Sequence, residues 1–148
     1  MMEMIVLRAA SSDDKLYLYH LHRATMSDLV EQIWGWDEPV QQEFFREHIA
    51  AGNHFLIQLK DENVGTVQYH DEADHIFIGN IEIDPDRQGE GIGTEVIQQL
   101  IKRAHAENKP VRLQVLKINT SACRLYQRLG FGFDDETDTH HHMTTRPR

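Results

Sequence analysis

Residues 85–94, reading Pro85-Asp86-Arg87-Gln88-Gly89-Glu90-Gly91-Ile92-Gly93-Thr94, constrain the fold more than any other stretch. The segment before them, Ile76-Phe77-Ile78-Gly79-Asn80-Ile81-Glu82-Ile83, is dense in β-branched residues, as a buried strand is. The segment after them, Thr94 to Glu107, puts Val96, Ile97, Leu100, Ile101 and Ala104 on one helical face. Three glycines at alternate positions therefore join a strand to a helix, letting the backbone turn tightly and expose its amides. The helix begins with unpaired N–H groups and the positive end of its dipole directed at that loop. A phosphate or pyrophosphate suits such a place. The spacing alone equally fits an ordinary strand–helix turn with no ligand.

Two common phosphate loops are excluded. No Gly-Lys-Ser/Thr closes the segment, so it is not a P-loop. A dinucleotide fold wants its glycine loop after the first strand and an acidic residue about 20 residues on. Here the loop lies past mid-chain, and the next strand-like run, Val111 to Leu116, ends in Lys117.

Composition sets outer limits. With 148 residues and 40% hydrophobic content, the chain suits a single domain over residues 1–148 with a real core. It contains no internal repeat, low-complexity tract or apolar run near the ~18 residues of a membrane span. The acidic N-terminus does not read as a signal peptide, and a cytoplasmic protein is the simplest expectation. Cys123 is the only cysteine, which excludes an internal disulfide and a cysteine metal cluster. A formal net charge of −9 argues against nucleic acid. It accords with a cationic amine as partner, although an acidic surface also simply aids solubility. An anionic cofactor would be repelled overall, so its phosphates need local contacts from loop amides, with Arg87 and Arg124 nearby in sequence.

A second segment makes the glycine loop specific. Gln88-Gly89-Glu90-Gly91-Ile92-Gly93 resembles the Q/R-x-x-G-x-G/A signature of the GNAT N-acetyltransferases. About 25 residues later, Val115 to Phe131 is similar to the family's second block: strand, Asn119, a helix carrying Ala122 and Leu125-Tyr126, then Gly130-Phe131. The resemblance is strong over residues 76–133 and looser over residues 1–75. It implies an α/β (α+β) fold of the acyl-CoA N-acyltransferase type, a mixed, largely antiparallel sheet flanked by about four helices. Its splayed parallel strand pair would be 75–83 and 111–117. The element order read along the chain agrees: β at 3–9, a helix capped near Ser11–Asp14 and running to about Met26, a helix from Pro39 to about Ala51, strands at 54–60 and 64–70 joined by Asp61-Glu62-Asn63, strand 75–83, helix 94–107, strand 111–117, helix 120–129, and a closing hairpin of 132–136 with 139–145.

Acetyl-CoA is then the implied co-substrate, with no metal. Its pantetheine arm would lie beside Ile81, Glu82 and Ile83, pairing as an added strand does. Its phosphates would meet Gln88, Gly89, Gly91, Ile92, Gly93 and Thr94, and Asn119 and Ala122 would complete the cofactor contacts. Asn119 also suits the cap of the helix at 120–129, and both roles can hold together.

Acyl transfer to an amine requires a base for the amine, stabilisation of an oxyanion, and a donor for the leaving thiolate. Tyr126 matches the family tyrosine that donates to the sulfur, since a phenol with pKa about 10 is protonated at neutral pH. Tyr126 also falls on an apolar stripe with Ala122, Leu125 and Leu129, so packing alone accounts for it as well. Glu82 is the only carboxylate within the splayed strand and the candidate base, its other reading being a solvent-facing strand residue. Where some relatives carry a glutamate on this strand the chain has Phe77, and where others carry one on the next strand it has Gln114. Water, His70 or His75 stay open as alternatives.

Trp34, Trp36 and Asp37 are the candidate acceptor-binding residues: indoles beside carboxylates suit a cationic amine. The alternative is that the indoles pack beneath the helices and the acids start the second one. His140-His141-His142 does not make a metal site, because neighbouring side chains of a strand face opposite ways. The expected activity is acetyl transfer from acetyl-CoA to a small-molecule primary amine, with protein lysine or N-terminal acetylation and acyl-CoA sensing as alternatives. Dimers are common among relatives, which leaves a homodimer open.

Overall fold

The fold was analysed in a computed structural model, which describes residues 5–50 and 52–147. Among the described residues seven strands and four helices follow in the order β1 (Ile5–Ala9), α1 (Lys15–Ile33), α2 (Glu38–Ala50), β2 (His54–Leu59), β3 (Glu62–Asp71), β4 (Ile76–Ile83), α3 (Ile92–Ala106), β5 (Val111–Leu116), α4 (Thr120–Arg128), β6 (Gly132–Glu136) and β7 (His140–Thr145). The strands form one mixed sheet in the order β1-β2-β3-β4-β5-β7-β6, with β4 and β5 parallel. This is the mixed architecture expected from the sequence.

The chain divides into two compact units, Met1–Gln68 with Asn80–Ile92, and Tyr69–Gly79 with Gly93–Arg148. In the first, β1 pairs antiparallel with β2 from Ile5↔Leu59 to Ala9↔Phe55, and β2 with β3. Lys60 and Asp61 alone make the β2–β3 turn, both with positive φ, as a two-residue hairpin of matching twist demands. Glu62 and Asn63, expected in the turn, belong to β3. Leu18, Leu21, Val30, Leu56, Ile57, Val64 and Val67 are buried here.

Helix α1 follows a short 3-10 turn, Ser12–Asp14, and starts at Lys15 without the side-chain cap expected from Ser11–Asp14. Asp14 accepts from the Ser11 amide at 2.8 Å and binds Arg8 at 3.1 Å. Burial raises the Asp14 carboxyl, but the Ser11 amide and Arg8 outweigh it and hold it below the ordinary carboxylate value. The helix does not stop near Met26 but runs to Ile33. The reason lies in the phase of its buried residues. At roughly 100° per residue, Val30 sits about a third of a turn away from Leu18, so the apolar stripe breaks while the helix continues.

In the second unit the parallel ladder of β4 and β5 runs from Ile76↔Val111 to Ile78↔Leu113. β5 pairs antiparallel with β7, which pairs with β6. Helix α3 buries Val96, Ile97, Leu100 and Ala104, the face the sequence assigns to the core. Asp71 anchors this unit through Lys109 at 2.6 Å and Arg103 at 2.7 Å. Among the described residues no helix is long and apolar enough to cross a membrane.

Candidate active site

The loop between β4 and α3 has the backbone its sequence requires. Asp84 takes the Asp86 amide at 3.0 Å, turning the chain through Pro85–Arg87. Gly89 and Gly91 both sit at φ +82°, the left-handed region that costs an L side chain about 1–2 kcal/mol. Gln88 is extended and its Nε2 donates to the Ile83 carbonyl at 3.1 Å. Helix α3 then opens with buried Ile92, followed by half-buried Gly93 and Thr94. The first turn of α3 and the positive end of its dipole follow this loop directly, a setting that suits an anion. Arg87 is already engaged with Glu62 at 3.4 Å and Glu90 at 3.2 Å.

The first unit also holds Glu82, now with partners the sequence did not reveal. Its residue is 4% exposed, so the solvent-facing reading fails. Glu82 Oε2 lies 2.7 Å from His22 Nδ1 and accepts from Asn80 Nδ2 at 3.0 Å. The β3 glycine Gly65 allows this strand to come close: a Cβ there would press on the Glu82 carbonyl oxygen. Ile81 and Ile83, to either side, are half-buried.

Around His22 stands an aromatic group. Its ring stacks on Phe45 with centroids 5.7 Å apart and lies 6.2 Å from Trp36 at a tilt. Trp36 Nε1 donates to Glu38 at 2.6 Å, and the Tyr19 hydroxyl donates to the other Glu38 oxygen. The Tyr19 bond, then that of Trp36, holds the Glu38 carboxyl below its ordinary value. Burial first, then the bond to Glu38, raises the Tyr19 phenol. Asp37 serves α2 directly, accepting from the Val40 amide at 3.1 Å. Trp34, by contrast, is 60% exposed. Of the three residues expected at the acceptor, Trp36 thus joins the cluster, Asp37 starts a helix and Trp34 faces outward.

Glu38 belongs to the acidic aromatic tract 34–38 that drew attention in the sequence, whereas His22, Tyr19, Phe45 and Asn80 escaped sequence reading. The available signal was His22 four residues after Leu18, an ionisable ring in phase with a core residue. Its partner is 60 positions away, and no local pattern names such a pair.

In the second unit, Asn119 caps α4, its side chain accepting from the Ala122 amide at 3.4 Å. Tyr126 is buried and meets the Phe131 ring edge-on at 5.8 Å, so the packing expectation holds for its ring. Burial pushes its phenol to about 12, with the neighbouring Cys123 adding to the shift. Such a phenol stays protonated at any physiological pH and is a hydrogen-bond donor. The alternative bases lie in this unit too: His70 contacts the Phe77 ring, and His75 pairs with Asp74 at 2.7 Å. The three C-terminal histidines take separate partners, Thr139 for His140, Phe133 for His141 and Asp135 for His142. No group of three or more potential metal ligands occurs among the described residues.

Parallel β4 and β5 and a left-handed glycine loop between β4 and α3 fit the acyl-CoA N-acyltransferase class that the resemblance implied. Comparison with known proteins agrees. The model of the acetyltransferase (GNAT) family matches residues 16–131, and the chain belongs to that family. It is accordingly an acetyl-CoA-dependent N-acetyltransferase, as the resemblance implied. No curated protein sequence matches it significantly. Its fold is similar to that of the PaiA N-acetyltransferase from Thermoplasma acidophilum in complex with coenzyme A, at 16% identity and TM-score 0.75, covering 97% of this chain and 99% of that one. The ribosomal-protein-S18-alanine N-acetyltransferase from Escherichia coli is similar at 20% identity and TM-score 0.69, covering 97% and 94%. A GNAT family acetyltransferase from Elizabethkingia anophelis with acetyl-CoA bound is similar at 16% identity and TM-score 0.69, covering 96% and 97%.

Proposed function

We infer that the protein acetylates a small cationic primary amine, by direct attack of the amine on acetyl-CoA in a ternary complex. The observation that carries the choice of acceptor is the group formed by Tyr19, His22, Trp36 and Phe45 around the carboxylates of Glu38 and Glu82. Aromatic faces attract a cation and carboxylates pair with it, while the rings shed water from the apolar part of a small amine. The net charge of −9 adds a long-range pull on cations.

Acetyl-CoA supplies the acyl group. Gln88, Gly89, Gly91, Ile92, Gly93 and Thr94 are the residues to hold its pyrophosphate, supported by the left-handed glycines and the start of α3 that follows them. Ile81 and Ile83 would border the pantetheine arm, and Asn119 and Ala122 at the start of α4 would add contacts. Tyr126 would donate to the departing sulfur, and Glu82, in contact with His22, would serve the deprotonation of the amine. The family match runs through both compact units, which supports treating the chain as one catalytic domain.

The test is calorimetric titration with acetyl-CoA, followed by a panel of polyamines, aminoglycosides, amino acids and peptides with free thiol monitored. Thiol release with small polycations is the expected result. Release with peptides alone would move the acceptor to a protein, and release with no amine would favour an acyl-CoA sensor.

A further inference from the structure

We propose that His22, rather than Glu82, is the general base of the transfer, with Glu82 and Asn80 as its positioning residues. The inference rests on the acetyltransferase reading above and names the atom that takes the amine proton.

Three observations carry it. The first is the contact itself: His22 Nδ1 faces Glu82 Oε2 at 2.7 Å, and that oxygen also accepts from Asn80. Glu82 Oε2 already accepts from Asn80, so donation from Nδ1–H to the same oxygen suits the contact and would leave the Nε2 lone pair as the basic site of the neutral ring. The second is access. The Glu82 side chain keeps 3% of its surface and that of His22 keeps 13%. Among the described residues Nε2 has no hydrogen-bond partner, and it is not among the buried atoms left without one, so solvent reaches it. The third is the setting. The ring is held between Phe45 of α2 and Trp36 of the loop after α1, the surfaces proposed to receive the amine. The charged groups about it are Glu82 from β4 and, bonded to Trp36, Glu38, which in turn pairs with Arg23 at 3.7 Å.

The proton balance closes without another reagent. The ammonium gives one proton to Nε2, making an imidazolium that the Glu82 charge stabilises, as a carboxylate does for a hydrolase histidine. The freed amine nitrogen attacks the thioester carbonyl carbon, forming the C–N bond and placing the π electrons on oxygen. Collapse restores the carbonyl and breaks the C–S bond, the electron pair leaving on sulfur. The second nitrogen proton is lost in this step and one proton ends on the sulfur. His22 returns its own proton to water, so the products are the amide, the thiol and one proton.

The first measurement needs no acceptor: long-range ¹H–¹⁵N spectra of the native protein at pH 8 should report His22 protonated at Nδ1 and bare at Nε2. The second compares His22→Asn, whose amide can still donate to Glu82 but offers no base at the Nε2 position, with Glu82→Gln. Both are assayed with acetyl-CoA and the panel amine of fastest thiol release. In His22→Asn we expect kcat to fall at least ~100-fold and the acidic limb of kcat/KM to vanish, with acetyl-CoA affinity held within ~2-fold. Glu82→Gln should lose only ~10-fold, because the imidazolium formed in the reaction loses its counter-charge. A ring bare at Nδ1, a doubly protonated ring at pH 8, activity of His22→Asn within ~3-fold of native, or a limb kept in His22→Asn and lost in Glu82→Gln would each overturn the assignment. Failure of the native protein to release thiol with any amine would overturn the parent reading instead, before any variant is made.

Discussion

Replacing Gly65 with alanine tests how tightly the fold holds the carboxylate of its proton-handling pair. A Cβ at this β3 position falls well inside contact distance of the Glu82 carbonyl oxygen and lies 3.1 Å from Ile83 Cδ1 and 3.2 Å from Ile83 Cα. Two of those three neighbours are backbone, so relief comes only from separating the strands by roughly an ångström. The bond from the Asp84 amide to the Val64 carbonyl, at 2.9 Å, resists that separation. Overpacking of this kind costs about 1–3 kcal/mol, and alanine recovers about 0.5–1 of it by stiffening the unfolded chain. The net loss of about 1–2 kcal/mol lowers Tm by about 2–8 °C in a chain of this size. The same displacement stretches the 2.7 Å contact between Glu82 and His22 out of hydrogen-bond range. An ångström of misplacement costs about 100-fold in rate, so kcat/KM should drop by that order. Thermal unfolding and thiol release measure the two effects, and Gly132→Ala, where a Cβ meets nothing within 4 Å, is the control. Native Tm and native rate in Gly65→Ala would refute the argument.

Gly91→Ala places a side chain at φ +82°, and the strain of about 1–2 kcal/mol should weaken acetyl-CoA binding about 10-fold by calorimetry. Tyr126→Phe should lower kcat by about 10–100-fold with acetyl-CoA affinity kept, and unchanged turnover would remove Tyr126 from the mechanism. Tyr17 carries a buried hydroxyl with no partner, so Tyr17→Phe should raise Tm, a result read directly by scanning calorimetry. The phenols of Tyr17 and Tyr126 are both raised from 10.0 to about 12, Tyr17 by burial and then by the charges of Asp84 and Glu62. Their neutral forms favour the folded state, so stability should be intact below pH 10 and fall between 10 and 12, less steeply in Tyr17→Phe.

What the sequence disclosed and what it hid follow from the range of the interactions. The loop at 88–94 was legible because its constraints are local: glycine for left-handed backbone, a β-branched run before it and an in-phase apolar face after it. Helix α3 and the Asn119 cap were legible for the same reason. The far end of α1 was not, because Val30 is buried out of phase with Leu18 and a periodic search reads that break as an end. Trp36 and Asp37 drew attention as one acidic aromatic tract, yet folding gave them separate tasks. Asp37 satisfies a helix amide, which any acid at that position can do, whereas Trp36 turns its indole N–H onto Glu38 and its ring toward His22. Glu82 stood out as the one carboxylate within its strand, but its surroundings come from α1, 60 residues earlier. A carboxylate's chemistry is set by what it touches: beside water Glu82 would itself be the candidate base, whereas its contacts with His22 of α1 and with Asn80 are what support the proposal that His22 takes the proton.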